Sequence, residues 1–513
     1  MIGHVLSASL FGININLIDV EVYFMYGLPG VDMVGMLSSE VKEAKERVNS
    51  VLHHIGFPLP SMKIIVNLAP ADLRKHGNLF DLPIAVAILS AMEVIPPASV
   101  DKTLFVGELG LEGQLRPCRG ILSILDECRH NDRIDSVALP LANLQEALSI
   151  WDSPKPLYAA STLPELISNL LEGKTADLSL APSASAKNEE DQPDFLDING
   201  QEAVKRATII AACGMHNILY SGSPGSGKTM IARRIPSILP EMTLEERIEV
   251  SKIYSLAGML PPGGGLMKFR PFRSPHHSVP PKALVGGGQS PMPGEVSLAH
   301  RGVLFLDELA EFRRETLEEL RQPMEEGTIY ISRLGAVYQY PARFMLAGAT
   351  NPCPCGYYPD RKKCHCTPGQ IRRYAARISG PLLDRIELYV STPPITYADF
   401  SAEKKNPSSA EIRKTVERIH EIQKERYRDL PGVFFNSQLT TTSMIRKYCH
   451  INRECDDFLQ KVFKHYNLTG RSYHKLLKLA RTIADLEGSR EITAEHLSEA
   501  LQYRPLPTKE NEY

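Results

Sequence analysis

The sequence predicts an α/β protein with a parallel sheet organised round a glycine-rich loop, an all-helical region closing the carboxyl-terminal part, and a second domain of strands and helices in front. Three stretches carry that expectation. NILYSGSPGSGKTMIARRI (217–235) runs from an apolar strand through Gly222, Gly225 and Gly227 into a helical pattern. GVLFLDE (302–308) is an apolar run closing on two carboxylates, as a buried parallel strand does. From about 407 onward, SSAEIRKTVERIHEIQKERY and SYHKLLKLARTIADLEG show helical spacing with cap signals.

The elements in front follow the same logic. KIIVNLAP and KTLFVGELG read as short strands and alternate with the helical patterns SEVKEAKERVNSVLHHIG and LPIAVAILSAMEV. From about 173 to 195, GKTADLSLAPSASAKNEEDQPD is rich in Ser, Ala, Pro and acids without a hydrophobic period, which predicts a linker. The expected organisation is therefore 1–172, a linker at 173–195, a sheet module at 196–395 and a helical region at 396–513. A chain of 513 residues, 43% hydrophobic and 23% charged, has room for such separate cores.

Charge and cysteine usage narrow the classes. A net charge of -2 excludes a global basic field, so any nucleic-acid contact must come from local patches. No apolar run reaches the ~18 residues that span a bilayer, and MIGHVLSASLFGININ lacks a basic segment before an apolar core. A cytoplasmic protein with no membrane partner is expected. Of nine cysteines, Cys353, Cys355, Cys364 and Cys366 crowd together, and Cys118, Cys128, Cys213, Cys449 and Cys455 read as scattered core residues.

The glycine loop matches GxxxxGK[ST] in its required strand-to-helix context. Gly222, Ser223, Pro224, Gly225, Ser226 and Gly227 let backbone N–H groups face phosphate oxygens, Lys228 reaches the β and γ phosphates, and Thr229 offers a hydroxyl to Mg2+. ATP and Mg2+ are the expected ligands. Downstream, Asp307 supports the Mg2+ and Glu308 polarises the attacking water. ARFMLAGATN places Asn351 at a third strand tip, where an amide can orient that water, and Arg385 and Arg471 are candidates for charge on the developing γ-phosphate. Taken singly, such acids and arginines are more often solvated strand ends and surface ion pairs; in this order they form a set.

The strings RPFRSPHH, ALVGGG, PGEVSLAHRGVLFLDEL, LRQPMEEGTIYISR, NPCPCGYY and RISGPLLDRIEL resemble the YifB/ComM family of magnesium-chelatase-like AAA+ ATPases. GLPGVDMVGMLSSEVKEAKERV and VNLAPADLRKHGNLFDLPIA extend the resemblance to nearly the whole chain outside the linker, although GMLSSEVKEAKERV departs from the expected GLPDxAVKESRERV. The resemblance implies an AAA+ module with a helical lid and a homohexameric ring, and its ComM members are associated with ATP-driven DNA branch migration in natural transformation. It also implies roles by motif position: Arg385 as arginine finger across the subunit interface, Arg471 as sensor 2 and Asn351 as sensor 1.

VGELGLEGQLRPCRG and KHGNLFDLPIA resemble the peptidase domain of Lon-type proteases, a ribosomal-S5-domain-2-like α+β fold. Alignment puts the nucleophile position on Leu79 and the general base near Leu122, and neither leucine can do that chemistry. A Lon-like domain without the dyad is expected. Ser38, Ser39 and Lys42 offer a Ser-x-x-Lys alternative but read as residues on the surface of a helix.

Two C-x-C pairs eight residues apart can close a four-sulfur Zn2+ site over Cys353, Cys355, Cys364 and Cys366, with His365 turned to solvent. For a polymer substrate, MKFRPFRSPHH gathers Lys268, Arg270, Arg273, His276 and His277 with Phe269 and Phe272, a mixture suited to phosphate contact and base stacking. EEGTIYISRLGAVYQYPARF predicts a β-hairpin with Arg333 near its turn. The competing use of these arginines is support of the nucleotide site or of subunit contacts. Two function classes follow: a DNA-remodelling motor with helicase or branch-migration activity, and a chelatase-like motor that reshapes a protein partner for metal insertion. An ATP-dependent protease is disfavoured by Leu79 and Leu122.

Overall fold

In a computed structural model the chain is described over residues 2–180, 193–261, 265–288, 291–333, 336–394, 406–466 and 468–504. The middle of the expected linker (181–192) and the expected boundary at 395/396 lie outside the described residues. At the near end of the module, Asp194 and Phe195, counted above with the linker, belong to the fold: Asp194 Oδ1 accepts from Leu196 N and from Ser409 N at 2.8 Å each, and Phe195 is fully buried. An acidic, proline-bearing stretch carries no local sign of which residue first finds a tertiary pocket.

The amino-terminal domain is a seven-stranded mixed sheet in the order Gly30–Val34, Lys63–Ala69, Asn14–Met25, Ile2–Phe11, Thr103–Phe105, Ser136–Pro140, Leu157–Ala160. Its centre is a long antiparallel hairpin running from Ile2↔Tyr23 to Phe11↔Asn14. Helix Asp81–Ala91 is apolar all round and accordingly buried at every position. Helix Ser39–His54 buries only Val41, Ala44, Val48, Val51 and Leu52, the stripe its spacing predicts. Leu79 and Leu122 are both core residues, 8% and 0% exposed. The Ser38 hydroxyl accepts from Val41 N as the cap of that helix, with Ser39 and Lys42 exposed beside it.

The second module is a five-stranded sheet in the order Phe272–Arg273, Val303–Leu306, Met345–Thr350, Ile218–Gly222, Leu388–Thr392. Every pairing in it is parallel. The predicted hairpin forms from Thr328–Arg333 and Ala336–Pro341, paired antiparallel. Helices Ser409–Arg426, Thr442–Tyr448, Arg453–His465, Gly470–Leu486 and Ala494–Gln502 make the lid and share one core with the sheet. The first of them starts at a capping box between Ser408 and Glu411, as its sequence signals. The two domains meet where Phe11 stacks on Tyr338 of the hairpin, at 5.6 Å between centroids, and where Lys252 pairs with Asp126.

One ion pair pins the amino-terminal core. Arg47 grips Asp81 through Nε (2.7 Å) and Nη2 (2.8 Å), and the same carboxylate accepts from Leu109 N at 3.2 Å. The Asp81 side chain is 1% exposed, so its loss strands a guanidinium and a backbone donor. Asp81→Ala is expected to cost about 3 kcal/mol of stability, read as a drop in the urea midpoint of the full-length protein, with Lys42→Ala on the exposed helix face as a near-neutral control.

Candidate active site

The parallel register brings the phosphate-side residues together at the carboxyl ends of the strands, where doubly wound sheets bind ligands. Gly225 (φ 75°) and Gly227 (φ 81°) take left-handed conformations that curl the loop, and helix Lys228–Ile238 starts at Gly227 with its amino end toward it. Lys228 is 8% exposed, and its Nζ donates to Gly222 O and Ser223 O at 2.8 Å each. Burial lowers its pKa, with Asp307 and Glu308 opposing that shift. A third donation from Nζ goes to Ser226 Oγ at 3.4 Å, and an ammonium held by oxygens of the glycine loop itself, where backbone N–H groups can face anions, fits a polyphosphate. Gln201, which motif reading missed, clamps the loop by donating to Ser226 O (3.0 Å) and Pro393 O (2.9 Å). Its left-handed φ of 60° has no signature in the string INGQEAV.

Thr229 Oγ1 donates to Asp307 Oδ2 at 2.8 Å, so the hydroxyl and carboxylate expected at Mg2+ are already adjacent hard oxygens, the donor set that cation takes. Glu308 N closes on Asp307 Oδ1 at 2.9 Å, and Glu308 itself adopts a left-handed φ of 51° that turns its half-exposed carboxylate out of the strand. Asn351 follows Met345–Thr350, which pairs directly with the Asp307 strand through Leu306↔Gly348.

Arg385 and Arg471 are elsewhere. Both line a cleft of about 670 Å³ with Asn217, Arg301, Arg343 and Lys475. Asn217, Arg301 and Arg343 lie just before the amino ends of their strands, so this cleft is at the edge of the sheet opposite the glycine loop. A five-residue strand such as Ile218–Gly222 spans roughly 16 Å, well beyond a guanidinium's reach. Arg385 Nη1 donates to Pro381 O at 2.6 Å and its Nη2 pairs with Glu325. Arg471 is exposed, one turn before Lys475 on helix Gly470–Leu486. Lys475 Nζ donates to Leu383 O (3.3 Å) and Ile386 O (3.1 Å), tying the lid helix to the turn that carries Arg385. Burial takes its pKa down to about 8.

In the basic string the structure shows where two of the arginines spend their donors. Arg270 donates to Pro240 O (2.6 Å), Arg301 O (2.8 Å) and Glu246 Oε2 (3.0 Å). Arg273 spends its fork on Glu295, at 2.7 and 2.8 Å. Both arginines expected at DNA are thus internal braces, because the carboxylates that consume them stand more than twenty residues away in the chain and adjacent in space. Phe272 stacks on Phe305 of the Asp307 strand at 5.8 Å. His277 points at the active site, its Nδ1 3.5 Å from Glu308 Oε2. Of the three DNA-contact candidates only Arg333 is exposed, at the end of its hairpin strand; the turn residues 334 and 335 lie outside the described residues.

The four sulfurs of Cys353, Cys355, Cys364 and Cys366 lie within 4.8 Å of one another. Cys353 Sγ is 3.3 Å from Cys355 Sγ and 3.7 Å from Cys364 Sγ. A tetrahedral Zn2+ with bonds of about 2.3 Å needs edges near ~3.8 Å, so the thiol set fits the metal. Tyr358 N donates to Cys353 Sγ at 3.4 Å, and His365 is exposed as expected. This loop backs the glycine loop: a Cβ on Gly356, whose φ is 83°, would sit 2.6 Å from Pro224 Cδ.

Family comparisons agree with this geometry. Residues 194–400 match a family model described as magnesium chelatase, subunit ChlI; residues 20–143 match subunit ChlI of Mg-chelatase; residues 406–504 match the ChlI C-terminal model. Competence protein ComM of Haemophilus influenzae is 41% identical over 509 residues, covering 98% of this chain and 97% of the relative. YifB of Salmonella typhimurium is 41% identical over 506 residues, covering 97% and 96%. This chain belongs to the ComM/YifB family of magnesium-chelatase-like AAA+ proteins. The magnesium-chelatase 38 kDa subunit of Rhodobacter capsulatus is 28% identical over 196 residues, 35% of this chain and 55% of that subunit. Because the model matched by 20–143 also carries a chelatase description, the presence of an amino-terminal domain does not by itself separate family members from chelatase subunits; coverage does. Among the described residues no helix is long and apolar enough to cross a membrane.

A side chain at Gly356 must displace either Pro224 or the cysteine loop, and left-handed backbone costs it a further ~1 kcal/mol. Gly356→Val is expected to weaken ATP binding about tenfold or more, on the scale of 1.4 kcal/mol per decade, in a calorimetric titration. Gly369→Ala, with open space round it, leaves affinity unchanged.

Proposed function

We propose that this chain is an ATP-hydrolysing motor that works as a homohexameric ring on DNA, in the cytoplasm. The observation that carries the reading is the placement of Lys228, Thr229, Asp307, Glu308 and Asn351 at one edge of the parallel sheet and of Arg385 and Arg471 at the other. One copy cannot bring its own arginines to its own loop. A second copy set head to tail can, and heterologous contacts of this kind close into rings.

Bound Mg2+ supplies neutralisation of charge on the phosphate oxygens. Lys228 exchanges the Gly222 and Ser223 carbonyls for phosphate oxygens, while Thr229 and Asp307 hold the cation. Glu308 takes the proton of the attacking water, Asn351 orients that water, and Arg385 and Arg471 of the neighbouring copy stabilise the developing charge. Lys475 keeps the two arginines in one rigid unit. We assign Zn2+ to the four cysteines, where it stiffens the loop behind Pro224.

DNA as the substrate is supported by the exposed hairpin strand that carries Arg333 and the 48%-exposed Tyr330, and by a near-full-length relative named as a competence protein. The chelatase-like reading is favoured by the descriptions of the three family models, and it predicts no response to DNA.

Glu308→Gln and Arg385→Ala are each expected to lower ATP turnover at least about 100-fold, and forked DNA to stimulate the unmodified protein. Mixing Lys228→Ala with Arg385→Ala subunits should restore activity in about a quarter of the sites of random rings. Full turnover by a monomer, or no recovery on mixing, overturns the ring. Absence of stimulation by any DNA favours the chelatase-like reading.

A further inference from the structure

We propose that His277 is the positioning residue for Glu308, holding the general base in place for the attacking water. The inference rests on the ATPase reading above and adds to it a residue that neither the glycine-loop motif nor the paired acids point to.

The register of the sheet makes the assignment. Strand Phe272–Arg273 is the edge strand beside Val303–Leu306, paired in parallel with Arg273 opposite Leu304. The edge strand ends at Arg273 while its neighbour runs on to Leu306, yet His277, four residues beyond Arg273, and Glu308, four beyond Leu304, are still brought face to face past the end of the pairing. His277 Nδ1 stands 3.5 Å from Glu308 Oε2.

Both sides of the imidazole are held. One contact is the His276 ring, 4.0 Å away between centroids, and the other is the edge of Phe312 at 6.4 Å and 74°. His276 is itself fixed, its Nδ1 accepting from Ser278 N at 3.3 Å and bonded to Ser278 Oγ at 2.8 Å. Behind them the segment is anchored by the Arg273 fork on Glu295, by Phe272 stacked on Phe305, and by Val303 N donating to Pro271 O at 2.8 Å. A braced imidazole thus faces an acid that is otherwise loose.

Glu308 needs that support. It sits on a left-handed turn with its side chain 54% exposed. An exposed glutamate samples several rotamers, and fixing one costs side-chain entropy. A neighbour that selects the productive rotamer in advance removes that cost from the chemical step. The contacts of His277 are with Glu308, His276 and Phe312, so its effect is expected on the rate of hydrolysis and not on nucleotide affinity.

The test is steady-state ATP turnover by the full-length protein carrying His277→Ala, His277→Asn or His277→Gln, beside Glu308→Gln. His277→Ala is expected to lower kcat about tenfold with KM for ATP unchanged. Asn places its amide where Nδ1 stands and should recover most of the rate, whereas Gln reaches to the position of Nε2 and should not. In single-turnover measurements, adding His277→Ala to Glu308→Gln should cause no further loss, since there is no base left to position. An unchanged kcat in His277→Ala, a rise in KM with kcat preserved, equal rates for the Asn and Gln variants, or a further loss on top of Glu308→Gln each overturns the proposal. Undiminished turnover in Glu308→Gln alone would instead remove the general-base role of Glu308, and absence of ATP turnover in the unmodified protein would overturn the ATPase reading beneath the proposal.

Discussion

Every functional relation in this molecule depends on the polarity of one parallel sheet. Because all five strands of the second module point the same way, each contributes a carboxyl end to one edge and an amino end to the other. The glycine loop, the paired acids and Asn351 are carboxyl-end residues; Asn217, Arg301, Arg343 and Arg385 are amino-end residues. Parallel pairing also forces the chain to return across the faces of the sheet between strands, which is why the helices and the lid wrap it and share its core. An antiparallel sheet of the same residues would have mixed the two sets.

The charged residues near the sheet are mostly brace. Helix Leu244–Ala257 supplies Glu246 and Glu249, which meet Arg270, Arg301 and His300 at the amino-end edge. Burial pushes the Glu249 carboxyl up, but His300 and Arg301 outweigh it and bring its pKa down to about 2. Together with the Arg273–Glu295 fork, this network fixes the segment between helix and edge strand, and so the line along which His277 approaches Glu308. A buried ion pair adds little net stability, but it excludes alternative packings in which one charge is left alone.

The cysteine loop and the lid have parallel tasks on the two edges. Behind the glycine loop, Gly356 meets Pro224 with no room for a Cβ, so the thiol cluster and the loop move as one body. On the far edge, Lys475 binds the lid to the Arg385 turn through two carbonyls. Each edge thus carries its own tie between segments distant in the sequence.

Local chemistry was legible in the chain itself. The curl of GSPGSGKT, the cap at Ser408, the buried stripe of Ser39–His54 and the hairpin of 328–341 are each decided by residues within a few positions of one another, whose propensities and spacing need no distant partner. The leucines at 79 and 122 likewise put neither a hydroxyl nor an amine at the positions where the Lon resemblance expects a dyad. What only the tertiary structure decided were relations between distant segments: that Glu246 and Glu295 consume Arg270 and Arg273, that Arg471 stands with Arg385 and away from Lys228, that Gln201 clamps the loop, and that His277 faces Glu308. The physical reason is that an arginine or histidine carries the same propensity whether a carboxylate will meet it or not. Its role is set by strand register and packing, which bring together residues that the string holds far apart.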